Sequence, residues 1–377
     1  MSPRAILIVG GGPAGALCGE RLARAGFDVT LFESRRGWEK PCGGGVTWKA
    51  ARRYPFLLDP GLPKQTVNEA ELISSRGRRL RLTLSKPILI YARAVLNSYL
   101  LARAQAAGCR VRDEHVTRAE TNGRARLHTT AGIHDGDFLI LAGGARSLLG
   151  TDGKPPHARP ENTEQTFGYY VPASDHLLRV QFQEDFEGYL WSFPRPDHLS
   201  VGICGKLAQN TTDGLKKKLH RFMEAESIPI AGPVFSHLLP SLSHASWRQL
   251  ALAGSNCARI GDAAGLVDSI TGEGIYFALR SGELLAESLI EVQPERYPAR
   301  VWQDFARDLA RGARWQRTFY RGRLLGAPLT ERMIQLARRN PRFRALLDDL
   351  FSGAQGYLGL RWRLLALLLP ALPEARA

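Results

Sequence analysis

A glycine-rich turn near the N-terminus constrains the fold of this 377-residue chain more than any other feature. The apolar run Arg4 to Val9 predicts a buried parallel strand, and Pro13 to Ala25, with small residues along one face, predicts a helix. Phe27 to Phe32 predicts a second strand, which ends at Glu33. The turn Gly10-Gly11-Gly12-Pro13-Ala14-Gly15 therefore joins a strand to a helix inside a βαβ unit.

The G-x-G-x-x-G spacing of this turn predicts a Rossmann-type dinucleotide site rather than a glycine-rich turn without a ligand. Gly12 would let a diphosphate approach the backbone, and the free N–H groups of the helix would attract the anion. Glu33 lies 18 positions after Gly15, where its carboxylate can accept hydrogen bonds from ribose hydroxyls. We assign to this part of the cofactor site Gly10, Gly12, Pro13, Ala14, Gly15, Glu33, Ser34 and Arg35.

A second glycine-rich segment lies near residues 261 to 282. Arg259 to Gly265 has the sequence R-I-G-D-A-A-G, and Thr271 to Ile275 has the sequence T-G-E-G-I at the start of a helix predicted over 274–291. The two glycines of T-G-E-G-I would expose backbone N–H groups, and the positive end of the helix would stabilise negative charge on a bound ring. The first turn by itself leaves FAD and NAD open.

With both segments in place, the chain resembles the geranylgeranyl reductase family of FAD-dependent oxidoreductases, within the flavoprotein group that includes p-hydroxybenzoate hydroxylase-like enzymes and flavin halogenases. The resemblance implies FAD as the cofactor, with Asp262 on its ribityl chain and the helix start at 274 facing the pyrimidine end of its ring. An arginine near the cofactor at a helix start is also typical of the group. These matches add to the predicted cofactor site Arg93, Gly261, Asp262, Gly272, Gly274 and Ile275.

Three further segments are similar to segments of this family. Lys40 to Gly45, K-P-C-G-G-G, resembles one in which a cysteine sits by the flavin, so the resemblance implies that Cys42, Gly43 and Gly44 touch the cofactor. Tyr189 to Pro194, Y-L-W-S-F-P, resembles one that lines a lipid pocket, and Gly353 to Tyr357 is similar to a C-terminal segment. The predicted catalytic residues are Cys42, Tyr189 and Trp191.

The residues themselves leave alternatives open at these positions. Cys42 would be a proton source or an orienting group, although a water could supply the proton and a free loop cysteine is usually inert. Tyr189, Trp191 and Phe193 share one strand face by the period of two, which fits a substrate wall or an ordinary sheet core equally well.

The sequence departs from the family pattern at two places. In Leu141 to Ser147, Gly143 replaces the aspartate of an A-D-G-A-x-S pattern, which removes a carboxylate expected near NADPH or the diphosphate. Phe186 stands where the aromatic segment usually begins with proline. The second departure predicts a different pocket entrance and leaves open a natural substrate other than a geranylgeranyl lipid.

The remaining patterns predict the domain organisation. Alternating apolar and polar positions predict antiparallel strands at 67–84 and 167–204, the second group with its aromatic residues on one face. The predicted class is α/β, with a Rossmann-type FAD-binding domain, an interleaved mainly antiparallel-sheet substrate domain and a C-terminal helical segment. We assign 1–65, 91–155 and 252–300 to the FAD-binding domain, 66–90 and 156–251 to the substrate-binding domain with a linker at 153–163, and 301–377 to the C-terminal helical region.

The resemblance implies a reductase that saturates carbon–carbon double bonds of a polyprenyl, geranylgeranyl-type lipid by hydride transfer from N5 of reduced flavin. The alternative is a flavin-dependent monooxygenase that hydroxylates a phenolic or quinone-like apolar substrate. Gly265 and Asp268 to Thr271 stand where many hydroxylases carry histidine and proline, which favours the reductase. The chain has no W-x-W-x-I-P pattern, which disfavours a halogenase. A lipid-carrying protein with a vestigial flavin is a third hypothesis.

A formal net charge of +15 predicts anionic partners, but no nucleic-acid module is visible, so we expect no nucleic acid. The segment 361–370, R-W-R-L-L-A-L-L-L-P, predicts either an anchor at a membrane surface or a helix docked on the core. No second G-x-G-x-x-G follows a strand. NAD(P)H would therefore bind only transiently as the electron donor, and an acidic ferredoxin docked on the basic surface is the other option.

The five cysteines contain no C-x-x-C pair, which predicts neither a disulfide framework nor a metal site and fits a reducing compartment. No apolar run reaches the length of a membrane span. We therefore expect a cytoplasmic protein, either free or peripheral on the inner face of the membrane.

Overall fold

The computed structural model describes residues 4–121, 123–146 and 159–367. Its first sheet contains five parallel strands. In spatial order they are β16 (Cys257–Arg259), β10 (Phe138–Leu141), β1 (Ala5–Val9), β2 (Asp28–Phe32) and β6 (Arg110–Arg112). From Ile6 to Val9 the central strand is buried on both faces, which explains its continuous apolar run.

Different layers cover the two faces of this sheet. Ile6 and Ile8 pack in a core shared with three helices. These helices are α1 (Pro13–Arg24), α3 (Arg93–Ala106) and α6 (Ile275–Ile290). Leu7 and Val9 point the opposite way, into a smaller core beneath a three-stranded antiparallel sheet. Its strands are β7 (Val116–Glu120), β8 (Ala125–Thr129) and β9 (Gly132–Gly136).

The second sheet has eight strands and is antiparallel except for one pair. In spatial order its strands are β15 (Val234–Pro240), β11 (Thr163–Val171), β14 (Leu199–Lys206), β13 (Gly188–Pro194), β12 (Leu178–Phe182), β4 (Gln65–Ile73), β5 (Arg79–Ile90) and β3 (Gly45–Val46). The parallel pair is β12 with β4. Strands of the first sheet lie between β5 and β11 in the chain, so the two sheets are interleaved in sequence.

Helices cover the second sheet as well. Leu215 and Leu219 of α4 (Thr212–Ala225) pack on Val201 and Ile203 of β14. The C-terminal helices pack on the part of the sheet formed by β4 and β5. The other helices are α2 (Trp48–Arg53), α5 (His244–Trp247), α7 (Tyr297–Val301), α8 (Arg307–Arg321), α9 (Leu329–Arg339), α10 (Pro341–Ser352) and α11 (Leu360–Ala366), with a π-helical turn at Trp302–Ala306.

This architecture confirms the predicted α/β class. Over the described residues 301–367 the C-terminal segment is mainly helical and includes a short hairpin, β17 (Arg323–Leu324) and β18 (Ala327–Pro328). The two residues of its turn, Leu325 and Gly326, have φ values of 49° and 75°. Positive φ at both positions is what a type I′ hairpin turn requires.

The aromatic residues of 167–204 do not share one face, so this expectation was wrong. The ring of Tyr169 lies 5.8 Å from that of His220 on α4. The ring of the adjacent Tyr170 lies 4.7 Å from that of Phe235, on the other face of the sheet. Consecutive residues of a strand point to opposite faces, so a run that includes neighbouring aromatics must divide between two cores.

Parts of three sequence assignments lie outside the described residues: most of the 153–163 linker, Ser147, and the end of the basic segment 361–370. Within the described parts of the chain, no helix combines the length and the apolar character needed to cross a membrane.

Candidate functional site

A single cleft runs between the carboxyl ends of the parallel strands and one face of the second sheet. It gathers most of the predicted site residues. Those that line it are Gly10, Gly12, Pro13, Ala14, Glu33, Arg35, Cys42, Gly43, Arg93, Tyr189, Trp191, Asp262, Gly272, Gly274 and Ile275. Gly15, Ser34, Gly44 and Gly261 lie beside the cleft without lining it.

Glu33 organises one end of the cleft. Its Oε2 accepts a hydrogen bond of 2.8 Å from the Gly11 N–H, and its Oε1 accepts one of 2.8 Å from the Arg35 N–H. The carboxylate therefore holds the glycine turn in place as well as facing the cleft. Each oxygen keeps a further acceptor position for a ligand hydroxyl.

Three glycines behind the cleft permit close packing of backbone segments. A Cβ at Gly15 would lie 2.0 Å from the carbonyl oxygen of Gly10, so no larger residue fits where α1 meets the strand. Gly261, at φ +59°, would place a Cβ 3.0 Å from that of Ala14. Gly44 likewise abuts the carbonyl of Tyr91. These residues act through backbone packing rather than by contact with the cleft.

The cleft offers unused hydrogen-bond donors to an anion. No side chain caps α1, whose N-cap is Gly12, and a Cβ built at Gly12 meets no atom within 4 Å. Arg93 is 4% exposed, and its Nε has no hydrogen-bond partner among the described residues. An uncapped helix N-terminus and an orphaned buried guanidinium nitrogen fit the diphosphate of a dinucleotide.

Asp262 lies in the middle of the cleft with Lys40 as its partner. The Lys40 Nζ is 2.6 Å from Asp262 Oδ2, and both side chains are largely buried. Burial opposes ionisation, but the Lys40 ammonium outweighs it and holds the pKa of Asp262 below its usual range. Asp262 is therefore a carboxylate, an acceptor for ligand hydroxyls. Lys40 belongs to the K-x-C-G segment but was not among the predicted site residues.

The far wall of the cleft is one face of the second sheet. Tyr189 on β13 pairs with Cys204 on β14, which in turn pairs with Thr166 on β11. All three line the cleft, together with Trp191 and Phe193. Cys204 and Thr166 were missed because only the strand register, which no local motif encodes, brings them beside Tyr189.

Contacts with neighbouring residues fix the positions of Tyr189 and Trp191. The Tyr189 hydroxyl donates to the carbonyl of Thr271 at 2.5 Å, and burial raises the pKa of Tyr189 well above its usual value. The Trp191 ring stacks on Phe235, with centroids 6.4 Å apart. Tyr189 is therefore a neutral group committed to the T-G-E-G turn, and Trp191 is a fixed apolar surface.

Phe186 does not line the cleft. It is 4% exposed and packs in the core beneath α4. The expectation that it alters the pocket entrance was therefore wrong. It lies in the turn before β13 and packs on the opposite face of the sheet from Tyr189.

A buried polar network lies further along the same sheet. Lys206 Nζ donates to Ser241 Oγ at 2.8 Å, and Ser241 Oγ donates to Glu164 Oε1 at 2.7 Å. Gln316 of α8 also donates to Glu164 Oε1, at 3.1 Å. Burial raises the pKa of Glu164 and lowers the pKa of Lys206, although the two groups oppose each other's shifts. The network ties α8 to the sheet beneath the cleft wall.

The T-G-E-G turn is supported by the C-terminal G-A-Q-G-Y segment. Tyr357 donates to Asp268 Oδ2 at 2.8 Å, and Asp268 Oδ1 accepts from the Ile270 N–H at 2.8 Å. Glu273 accepts from Thr47 Oγ1 at 2.9 Å, and burial raises the pKa of Glu273 to about 7. No side chain caps α6, and its first residues, Gly274 at the N-cap and Ile275, line one end of the cleft.

The described residues contain no cluster of three or more His, Cys, Asp or Glu side chains arranged to hold a metal ion. The donors and acceptors of the cleft suit an organic dinucleotide. The carboxylates of Glu33 and Asp262 can accept hydrogen bonds from sugar hydroxyls, and backbone N–H groups of the glycine turn can bind a diphosphate. An apolar wall lies at one end of the cleft.

Comparison with known proteins gives consistent likenesses. A family model for an NAD(P)-binding Rossmann-like domain matches residues 8–52. The chain is 29% identical over 320 residues to the chloroplastic geranylgeranyl diphosphate reductase of Nicotiana tabacum, covering 76% of this chain and 66% of that protein. It thus spans slightly less than two thirds of that relative. It is 27% identical over 350 residues to digeranylgeranylglycerophospholipid reductase 1 of Methanopyrus kandleri, covering 82% and 88% of the two chains.

Among solved structures, the chain resembles a geranylgeranyl bacteriochlorophyll reductase-like protein from Thermoplasma acidophilum. The TM-score is 0.75 at 20% identity, over 92% of this chain and 98% of the other. At that identity the likeness concerns the fold.

Proposed function

Because the chain belongs to the geranylgeranyl reductase family of flavin-dependent oxidoreductases, we propose that it reduces carbon–carbon double bonds of a polyprenyl, geranylgeranyl-type lipid. One observation carries the proposal: the same cleft joins a dinucleotide-binding half to the apolar wall of Tyr189, Trp191 and Phe193. When bound, reduced FAD supplies the hydride equivalent at its N5. The protein's part is to align the alkene and to exclude water.

We propose the following roles in the cofactor half. Glu33 accepts hydrogen bonds from the ribose, and the uncapped start of α1 together with Arg93 binds the diphosphate. Asp262, kept ionised by Lys40, accepts hydrogen bonds from the ribityl hydroxyls. The start of α6 faces the flavin ring, where its dipole stabilises the negative charge of the reduced state.

In the substrate half, Trp191 provides the surface on which a prenyl chain lies. Tyr189 positions the T-G-E-G turn through its hydroxyl rather than donating a proton, because that hydroxyl is already bound to Thr271. Cys42 remains the candidate for the group nearest the reacting carbons, as a proton source or an orienting group. We assign residues 1–65, 91–155 and 252–300 to cofactor binding and 66–90 and 156–251 to substrate binding.

For the electron donor, two classes fit the molecule. NAD(P)H would approach the flavin face only transiently, since no second G-x-G-x-x-G follows a strand in the sequence. An acidic ferredoxin would dock on the surface of a protein with a net charge of +15. Stopped-flow reduction of the FAD-loaded protein by each donor separates the two, because only the true donor reduces it within the turnover time.

The central experiment follows the flavin and the product together. The FAD-loaded protein is reduced anaerobically, geranylgeranyl lipids or quinones are added, and flavin reoxidation is recorded with the product mass. We expect a gain of two hydrogens for each double bond reduced. A product that gains one oxygen, formed only in air, would instead establish the hydroxylase. C42A with wild-type flavin binding and undiminished turnover would remove Cys42 from the reaction.

A further inference from the structure

Arg195, which follows the aromatic segment in sequence, is a fully buried charged group near the cleft. Its side chain is 0% exposed. Nη1 donates to Glu39 Oε1 at 2.6 Å, and Nη2 donates to the carbonyl oxygen of Cys42 at 2.6 Å. Ser200 Oγ donates to the same carbonyl at 3.0 Å. One guanidinium therefore links the second sheet to the loop that carries Cys42.

The double contact on the Cys42 carbonyl fixes the direction of the next N–H group. None of the described peptide bonds is cis, and in a trans peptide the carbonyl and the N–H point in opposite directions. The Cys42 carbonyl points to Arg195 and Ser200 in the sheet, so the Gly43 N–H points away from them. Gly43 lines the cleft, and its N–H has no acceptor among the described residues.

Glu39 connects Arg195 to the cofactor half of the cleft. Its two carboxylate oxygens accept from the backbone N–H groups of Arg93 and Ala94, each at 2.8 Å, at the start of α3. Arg195 therefore holds, through Glu39, the helix start that presents the Arg93 side chain to the cleft. The phenyl face of Tyr170 lies 5.0 Å from the Arg195 guanidinium and closes the other side.

We propose that Arg195 is a positioning residue which orients the Cys42–Gly43 peptide so that the Gly43 N–H donates a hydrogen bond to the ring of the bound flavin. This inference rests on the proposed flavin site. A hydrogen-bond donor fixed against the ring favours the more electron-rich, reduced cofactor. Arg195 thereby tunes the reduction potential without touching the flavin itself.

The test measures the midpoint potential of FAD bound to the intact protein, together with the dissociation constants of its two redox states. R195M keeps an unbranched side chain but removes the guanidinium and its donors. Loss of one hydrogen bond to the reduced state predicts about tenfold weaker binding of reduced relative to oxidised FAD. For a two-electron couple, that factor is a potential lower by about 30 mV.

Two further variants complete the test: one is a control, and the other replaces R195M if that protein does not fold. R179M is the matched control, because Arg179 is an ion-paired arginine of the same sheet that does not line the cleft, and its potential should equal that of the wild type. If R195M does not fold, R195K/S200A takes its place in the test. This variant retains a cation beside Glu39, but it removes the Ser200 donor and weakens the other donor to the Cys42 carbonyl. A potential unchanged in the folded R195M or R195K/S200A protein would overturn the proposal. Absence of alkene reduction by the wild type would sink the proposed function while leaving this measurement intact.

Discussion

At the scale of single residues, Glu273 is a titrating group inside the turn that begins α6. Its pKa is raised from 4.5 to about 7 by burial. Below pH 4.5 the Glu273 carboxyl is protonated in both the folded and the unfolded chain, so its full favourable contribution to the free energy of unfolding is present. As the pH rises from 4.5 through 7 the unfolded chain ionises first, and the contribution is lost.

E273Q should remove this pH dependence. The free energy of unfolding of the wild type, relative to that of E273Q, should fall by on the order of 2 kcal/mol between pH 4.5 and 8, because solvent near the partly exposed side chain screens some of the full effect. Urea unfolding of the FAD-free proteins at several pH values measures it, with the exposed Glu295 changed to Gln as the control. A constant difference across this range would contradict the prediction.

At the scale of elements, strand β14 presents a glycine directly beneath the aromatic wall. A Cβ at Gly202 would lie 2.4 Å from Cζ2 of Trp191, so G202A must push the indole from its place. The indole lies over Gly202 on the face of the sheet that lines the cleft, so the added methyl group would push it away from the sheet and toward the cleft. Overpacking of this kind costs about 1–3 kcal/mol.

We therefore expect G202A to lower the turnover of a long prenyl substrate by about tenfold or more while FAD affinity stays close to that of the wild type. Steady-state kinetics with lipid, and fluorescence titration with FAD, measure the two quantities. G61A is the control, because Gly61 lies in an exposed loop away from the cleft. Equal loss of flavin binding and turnover would mean that the substitution disturbs the whole fold rather than the wall.

At the scale of the whole molecule, apolar and basic groups meet on one surface near the C-terminus. Trp362 is 62% exposed and Leu365 is 52% exposed on α11. Arg311 and Arg361 flank Trp362 around a shallow hollow. We propose that this surface contacts anionic lipid, since arginine and tryptophan together suit the interface between headgroups and acyl chains.

W362A/L365A should reduce sedimentation with anionic vesicles several-fold, and binding of the wild type should weaken as salt rises. The matched control is W302A, which removes an exposed tryptophan from the π-helical turn instead. Equal binding of W362A/L365A and the wild type, or equal binding to neutral vesicles, would exclude this surface as the contact.

Local pattern was sufficient for the cofactor half. The turn from Gly10 to Gly15 and the T-G-E-G turn are each contiguous in sequence, and their backbone geometry follows from the residues within them. Both line the cleft together with Glu33 and Asp262. The α/β class followed in the same way, from the periods of the strands and helices.

Tertiary structure decided the rest, because its determinants lie far apart in the chain. Lys40 reaches Asp262 across 222 positions, and Arg195 reaches Cys42 across 153. Cys204 joins Tyr189 only through the register of two strands. Phe186, in the turn before β13, packs in the core beneath α4 instead of lining the cleft. The sequence by itself determined a flavoprotein-like dinucleotide site with an aromatic strand. Only packing between the two sheets determined which side chains close that site, since a contact between distant residues depends on the relative placement of whole elements.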